Sequence, residues 1–199
     1  SAGRSCTDDE VRIVRVYDDK RAEPDDLVPM DGKTPGEIII FPCFKSTLTY
    51  PGNEELTKDK FYKGWIYTHD LGTWDKNQFI TVSGRKDDMI ISSGENIYPA
   101  QVEEAINCHP SVADCIVTAV PDKARGEAVV AYVIPKDDSL TIKDLNKYCA
   151  NHPDLSAYKC PRFYCFVDKI PYNATGKKLH YVVKAQAPED LEKGILQKP

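Results

Sequence analysis

The feature that most constrains the fold is a change of sequence pattern near residues 83–88. Before it, short apolar runs separated by polar turns are typical of β-strands. After it, strand-like runs alternate with helical periodicity, as in an α+β domain. With 199 residues, the chain is long enough for two small domains. We therefore predict an α+β protein with a β-rich subdomain over residues 1–83. Residues 84–199 are expected to form a compact domain with a short sheet flanked by helices.

Apolar patterns mark the strands of the first part. Four segments are strand-like, at residues 11–17, 37–42, 64–68 and 78–82. The first alternates, so Val11, Ile13 and Tyr17 are expected on one side, whereas the second is a continuous apolar run suited to burial on both faces. A polar turn joins the last two as a strand pair. Several short strands between turns favour a small barrel or sandwich.

The second part mixes strands with helices. A helix is expected to begin at Pro99, because proline suits the first helical turn. Another is expected near Thr141, whose spacing to Asp144 resembles a capping box. The apolar faces of the two helices are Val102, Ala105 and Ile106, and Ile142, Leu145 and Cys149. Strands are predicted at residues 89–91, 96–98, 113–120, 128–134 and 162–167, and a third helix at 180–185.

Charge and hydropathy exclude two classes of partner. The formal net charge is −5, and neither part of the chain carries the basic surface of a nucleic-acid-binding protein. No stretch approaches the roughly 18 apolar residues that a membrane helix needs. We therefore expect neither a nucleic-acid partner nor a membrane span.

The seven cysteines indicate a reducing compartment. They are Cys6, Cys43, Cys108, Cys115, Cys149, Cys160 and Cys165. No two of them have the two-residue gap of a zinc or redox motif, so no metal site is predicted. Three lie in apolar strand-like or helical patterns, where cysteine behaves as a small apolar residue. Reduced structural thiols predict a cytoplasmic protein.

A lysine-bearing turn at residues 175–177 invites comparison with a phosphate-binding loop. The full motif needs glycine at position 171 and serine or threonine at position 178, where this chain has Pro171 and Lys178. The motif therefore fails at both ends. What remains is a flexible turn whose Lys177 is either solvent-exposed or a point charge for a phosphate or carboxylate.

Further polar residues are ambiguous when each is considered by itself. Asp70, which follows an apolar strand, can accept both hydroxyls of a ribose or simply cap a turn. For Arg85 and the pair Asp87 and Asp88, a functional and a purely structural role likewise both remain open. Gly94 lies in a tight turn between two apolar strands, where it permits positive φ or close approach of another molecule.

Taken together and in this order, these segments are more specific for one family than any one of them is alone. The chain resembles the adenylate-forming acyl-CoA ligase superfamily, which includes acyl-CoA synthetases, aryl-CoA ligases, luciferases and peptide-synthetase adenylation domains. Residues 64–72 are similar to its ribose-binding segment, 84–99 to its hinge and the following loop, and 171–177 to the loop of its catalytic lysine. Residues 121–127 are a weaker match.

The resemblance implies a role for each matching residue in nucleotide chemistry. Asp70 would bind the ribose hydroxyls, and Arg85 would help to hold the nucleotide. Lys177 would contact the carboxylate and the α-phosphate, where negative charge builds up during adenylation and a cation stabilises the transition state.

The resemblance also implies a domain movement between two half-reactions. Asp87 would lie at the hinge about which the small domain swings. The swing would withdraw Lys177 and bring the Gly94 loop to the site, where its backbone would line the pantetheine tunnel. Ser93 and Arg125 would lie beside that tunnel and contribute to CoA binding.

By this resemblance the chain is the C-terminal portion of an AMP-forming acyl- or aryl-CoA ligase. The complete enzyme would convert a carboxylic acid, ATP and CoA into acyl-CoA, AMP and pyrophosphate with Mg²⁺. Its partner would be the N-terminal domain of the same chain. The family's phosphate loop and acyl pocket are absent from these residues, so we expect little or no turnover by this portion alone. Alternatives are a portion of a carrier-protein-loading adenylation domain, and a non-catalytic module that binds nucleotide, CoA or a partner protein.

Two residues depart from the family pattern. His69 stands where the family usually has glycine before the ribose aspartate, and we expect its ring to point outward. His180 stands where many members have arginine after the lysine loop, which leaves one phosphate or domain contact open.

Overall fold

The computed structural model describes residues 2–5, 10–17, 19–42 and 49–199. The chain divides into two compact units, Ser1–Asp87 and Asp88–Pro199, called unit 1 and unit 2 below. A short 3-10 turn at Lys86–Asp88 spans the division. Within the described residues, no helix is both long enough and apolar enough to cross a membrane.

Unit 1 contains a five-stranded sheet. Its elements are β1 (Glu10–Val14), β2 (Gly36–Phe41), α1 (Glu54–Lys60), β3 (Phe61–Tyr62), β4 (Trp65–Trp74) and β5 (Ile80–Arg85). All pairings are antiparallel, β1 with β2, β2 with β4, and β3 and β5 with different stretches of β4. The described strands thus form one antiparallel sheet. Among the described residues no strand pairing closes it, and the barrel or sandwich stays a prediction.

Apolar side chains cover both faces of this sheet. On β2, Ile38 and Ile39 belong to different clusters, as expected of a strand buried on both faces. Ile13 joins the cluster of Ile38, whereas Tyr17 packs with the opposite cluster. The predicted placement of Tyr17 with Ile13 is therefore wrong, because β1 ends at Val14 and strand alternation stops there.

Unit 2 contains a second five-stranded sheet and three of the described α-helices. Its elements are β6 (Ile90–Ser92), β7 (Glu95–Ile97), α2 (Pro99–Asn107), β8 (Val112–Asp122), β9 (Gly126–Pro135), α3 (Ile142–Asn151), β10 (Phe163–Phe166) and α4 (His180–Glu192). β9 pairs antiparallel with β8 and β6 and parallel with β10. Helices and sheet together confirm the α+β prediction.

Alternation along the long strands divides the core of unit 2 into two layers. Cys115 and Val117 of β8 face the cluster that contains residues of α2 and α3. Ile116 and Val120 face the cluster that contains residues of α4. The sheet is therefore buried on both faces, which explains why β8 and β9 have continuous apolar runs.

The helix starts follow from local signals. Pro99 occupies the first turn of α2. Thr141 caps α3, and its side chain accepts a hydrogen bond from the Asp144 backbone N–H. Both predictions are confirmed. The predicted apolar faces are also inward, since Val102, Ala105, Ile106, Leu145 and Cys149 are buried.

Candidate functional site

In unit 1, the segment around Asp70 is a distorted stretch of β4. Asp70 lies within β4 rather than after it, since the strand runs on to Trp74. The pairing of β4 with β5 shifts register between Leu71 and Gly72. A Cβ at Gly72 would lie 2.7 Å from the Thr81 carbonyl oxygen, so only glycine fits this close approach. Bulges of this kind re-aim side chains next to functional sites.

Asp70 and Arg85 are neighbours across the β4–β5 ladder. The Arg85 Nη1 lies 3.3 Å from the Asp70 Oδ1, and the two side chains are 50% and 42% exposed. The same guanidinium lies 3.9 Å from Asp87 through Nη2. The structure thus brings together the three predicted residues of unit 1 in an exposed cluster of opposite charges.

His69 is held against acidic side chains. Its Nε2 lies 3.2 Å from Asp59, its Nδ1 lies 3.5 Å from Asp87, and the buried Glu37 accepts a hydrogen bond from its backbone N–H. The ring is only 17% exposed, so the expectation that it points outward is wrong. Its φ of +61° explains why glycine suits this position, because few side chains adopt left-handed backbone.

In unit 2, the predicted CoA-binding residues lie together at two adjoining turns. Ser93 and Gly94 form the two-residue turn between β6 and β7, with φ of +55° and +80°. Positive φ at both positions matches the turn type that two-residue hairpins favour. The Ser93 N–H donates to the Arg125 carbonyl oxygen at 2.8 Å, and the Arg125 Nη1 lies 3.5 Å from the Ser93 Oγ.

Arg125 also lines a pocket of mixed polar and apolar character. The other cationic side chains of this pocket are Arg162 and Lys198. Asp122 anchors the Arg125 turn, since its Oδ1 accepts the backbone N–H groups of Ala124 and Arg125. The sequence analysis did not select Arg162 or Lys198, because they lie far from Arg125 along the chain.

Lys177 lies in an ordered turn between Pro171 and α4. Asn173 organises this turn, because its Oδ1 accepts hydrogen bonds from the Thr175 and Lys177 backbone N–H groups at 3.0 and 2.8 Å. The Asn173 N–H donates to the Lys177 carbonyl oxygen at 2.9 Å. Gly176 has a φ of +78°. The Lys177 side chain is exposed.

The next residue, Lys178, points instead into a polar cluster. Its Nζ lies 2.8 Å from Asp114 and 3.4 Å from Glu103, and it donates to the Cys115 carbonyl oxygen. Burial lowers the pKa of Lys178, but the hydrogen bond to Asp114 and the charges of both carboxylates outweigh burial and raise it. Lys178 therefore stays charged.

His180 completes this cluster from the first turn of α4. Its Nε2 lies 2.7 Å from the Glu103 Oε1. Burial lowers the pKa of His180, but the hydrogen bond and charge of Glu103 and the charge of Asp88 together raise it above its usual value. Within unit 2, the His180 ring is therefore paired with Glu103.

Sequence reasoning missed Glu103 and Asp114. One signal was present, because Glu103 lies at the i+4 position from Pro99, on the same helical stripe as Val102 and Ile106. A carboxylate on an apolar stripe indicates a buried charge that needs a partner.

Metal ligation and disulfides find no support in the described residues. Among them, no group of three or more His, Cys, Asp or Glu side chains is arranged to hold a metal ion. Cys115, Cys149 and Cys165 are buried thiols, as predicted. Burial raises the pKa of Cys149 to about 11, so this thiol is unreactive. Cys6 and Cys43 lie outside the described residues.

Comparison with known proteins places this geometry in a family. Residues 101–177 match the family model of the AMP-binding enzyme C-terminal domain. The 2-succinylbenzoate–CoA ligase of Bacillus licheniformis is 40% identical over 132 residues, 66% of this chain and 27% of the relative. That of Bacillus cereus is 37% identical over 159 residues, 80% of this chain and 32% of the relative.

Similarity to solved structures extends over more of the chain than the sequence matches do. The o-succinylbenzoate-CoA synthetase of Bacillus subtilis with ATP and magnesium has a TM-score of 0.76 and 34% identity, covering 92% of this chain and 35% of that one. The chain belongs to the AMP-binding enzymes and corresponds to their C-terminal region. The same synthetase with its acyl-adenylate intermediate has a TM-score of 0.73 and 34% identity over 88% of this chain and 34% of that one.

The chain spans about a third of the length of the relatives it matches. The matched family model begins within α2 and ends at Lys177. It therefore includes Glu103, Asp114 and the whole lysine turn, but neither Asp70 nor the Gly94 turn.

Proposed function

We propose that this chain is the part of an AMP-forming acyl- or aryl-CoA ligase that supplies the adenylation lysine and the CoA-tunnel loop. The complete enzyme joins a carboxylic acid to CoA with ATP, releasing AMP and pyrophosphate. The observation that carries the proposal is the exposed Lys177 in an asparagine-organised turn, in a chain whose relatives are named as CoA ligases.

Lys177 serves the first half-reaction. When the carboxylate attacks the α-phosphate, negative charge increases on the phosphate oxygens, and an ammonium group nearby lowers the energy of that transition state. The turn suits this role, because its backbone hydrogen bonds fix the main chain of Lys177 while the side chain stays accessible.

Asp70 and Arg85 serve nucleotide binding. Asp70 is well suited to a ribose, since its carboxylate is 42% exposed and accepts hydrogen bonds. Arg85 offers several donors to a phosphate once its exposed ion pair with Asp70 rearranges. The described residues provide no ligand cluster for the Mg²⁺ that accompanies ATP, and no step here depends on it.

Ser93, Gly94 and Arg125 serve CoA binding in the second half-reaction. A Cβ at Gly94 would meet no atom within 4 Å, so the turn is open to a ligand that passes along its backbone. The cations Arg125, Arg162 and Lys198 of the adjoining pocket suit the phosphates of CoA.

Asp87 serves as the hinge between the two half-reactions. It is the last residue of unit 1 and lies in the 3-10 turn at the division. Rotation at Asp87 would move Lys177 away from the adenylate and bring the Gly94 turn to it.

Separate assays of the two half-reactions test the proposal. The full-length protein used here is this chain joined to the preceding part of the ligase that its relatives have. Lys177→Ala should lower adenylate formation by about 100- to 1,000-fold, as expected for loss of a group that stabilises developing charge. Thioester formation from preformed adenylate should change little. Lys143→Ala, at an exposed lysine of α3, is the matched control.

Equal losses in both half-reactions, or no loss, would contradict the role of Lys177. A second measurement uses the 199-residue chain by itself. Incubated with ATP and a panel of carboxylic acids, it should release no pyrophosphate at a steady rate, and steady release would refute the proposal that this part depends on the rest of a ligase.

A further inference from the structure

Two adjacent lysines of unit 2 have opposite surroundings. Lys177 is exposed, whereas the Lys178 side chain is only 19% exposed and lies between Asp114 and Glu103. Burying an ammonium group is costly unless it is paired and hydrogen-bonded. Lys178 therefore stays in this cluster as long as unit 2 is folded.

The cluster completes the outer strand of the sheet. β8 pairs with β9, and on its other side the Glu103 Oε1 accepts the Val117 backbone N–H at 2.8 Å. Lys178 donates to the carbonyl oxygen of Cys115, two residues earlier on β8. Since buried backbone groups must have partners, removing either side chain leaves a strand group unsatisfied.

The same cluster holds the lysine turn at both ends. Before the turn, the Tyr172 hydroxyl donates to Asp114. After it, Lys178 and His180 reach Asp114 and Glu103. Asp114 belongs to β8 and Glu103 to α2, so the turn is fastened to two elements of the core of unit 2.

We propose that Glu103, Asp114 and Lys178 are positioning residues that fix the turn so that Lys177 is presented to the α-phosphate. This inference rests on the proposed function of Lys177. It assigns the two lysines separate tasks, since Lys178 fastens the turn and Lys177 acts from it.

Amide hydrogen exchange tests the fastening without any activity. Lys178→Met keeps the apolar stem and removes the charge. It should speed exchange of the Asn173 and Leu179 amides at the base of the turn by about tenfold or more beyond any change at the amides of β9, which report the stability of unit 2 as a whole. Lys143→Met should change neither. Asp114→Asn keeps the shape of the side chain and leaves Glu103 paired with Lys178, so it should accelerate exchange of the same amides by less. It replaces Lys178→Met as the test if that variant does not fold.

Half-reaction kinetics in the full-length protein test the positioning. Lys178→Met should lower the rate of adenylate formation about 100-fold, because even a small displacement of a catalytic group slows the reaction by about that factor. It should spare thioester formation from preformed adenylate, which general loss of structure would not. In a Lys177→Ala background, Lys178→Met should lower adenylate formation by less than about twofold, since coupled residues are not additive.

Three results for Lys178→Met would overturn the inference. The first is unchanged amide exchange at the turn, and the second is an equal loss of rate in both half-reactions. The third is the same loss of adenylate formation in the parent and in the Lys177→Ala background. These differ from failure of the proposed function, in which Lys177→Ala itself leaves adenylate formation intact.

Discussion

The two units carry polar clusters of opposite character. In unit 1, the side chains of Asp70, Arg85 and Asp87 are 42%, 50% and 63% exposed. In unit 2, those of Glu103 and Lys178 are 9% and 19% exposed and lie against the backbone of β8. Water screens the first cluster and is largely kept from the second.

This difference separates residues that can change partners from residues that cannot. An exposed ion pair contributes little to stability, so its members can exchange one another for a ligand at small cost. A buried pair cannot lose one member without leaving an uncompensated charge. The unit 1 cluster is thus suited to binding, and the unit 2 cluster to holding a shape.

The largest expected effect is on stability and sets the two clusters directly against each other. Glu103→Ala should destabilise unit 2 by about 3 to 5 kcal/mol, because Lys178, His180 and the Val117 N–H lose a buried acceptor. Arg85→Ala should cost unit 1 less than about 1 kcal/mol.

Urea unfolding measures both changes. The two tryptophans of the chain, Trp65 and Trp74, lie in unit 1, so fluorescence follows that unit alone. Hydrogen exchange of β8 and β9 follows unit 2. Comparable losses in the two units would show that exposure does not distinguish the clusters.

The second prediction concerns the proposed hinge. Proline fixes φ near −65°, a value that a 3-10 turn already has, so Asp87→Pro should fold. It should block rotation and lower thioester formation in the full-length protein by about 100-fold, the scale on which a misplaced group slows a reaction. Adenylate formation should be spared.

Asp87→Ala is the control, because it removes the contacts of the carboxylate with Arg85 and His69 but leaves the backbone free to rotate. Loss of adenylate formation with normal thioester formation, the reverse pattern, would refute the hinge.

Local signals account for the parts of the fold that the sequence predicted. The β6–β7 hairpin, the start of α2 and the cap of α3 each depend on residues a few positions apart. The short helix α1 escaped prediction, because none of its residues is buried and it therefore lacks an apolar stripe. Its local signals were Asn53, which caps it, the acidic residues of its first turn and the basic residues of its last turn.

The candidate site was predictable only where it is local. A resemblance selected Lys177 and Asp70, yet the contact of Lys178 with Glu103 joins residues that lie 75 positions apart. No spacing rule reaches that far, and the pairing depends on how α2 and β8 pack. The orientation of the His69 ring was predicted wrongly for the same reason, since Asp59 comes into contact with the ring only in the folded chain.

The third prediction concerns ligand binding by the exposed cluster. Asp70→Asn keeps the size of the side chain but weakens its hydrogen bonds to ribose hydroxyls, because charge-assisted hydrogen bonds are the stronger ones. AMP affinity of the full-length protein, measured by calorimetry, should fall about tenfold, the equivalent of one charged hydrogen bond. Asp25→Asn, at an exposed turn of unit 1, should leave it unchanged. Equal affinity of the Asp70 variant and the parent would exclude Asp70 from the nucleotide site.

The smallest expected effect is a pH dependence confined to the buried cluster. The folded protein holds the His180 pKa above its usual value, since Glu103 and Asp88 together outweigh burial and the opposing charge of Lys178. A raised folded pKa means that the charged ring stabilises unit 2. This stabilisation is complete below the ordinary histidine pKa of about 6.5 and is lost as the pH rises through the higher folded pKa.

His180→Gln isolates this dependence. The difference in unfolding free energy between parent and variant, followed by hydrogen exchange of β8, should shrink as the pH rises through that window. The turn amides of Asn173 and Leu179 should follow the same trend, because His180 fastens the turn through Glu103. A difference that stays constant with pH would mean that the Glu103–His180 contact does not depend on the charge of the ring, and the fastening would then rest on Lys178 and Asp114.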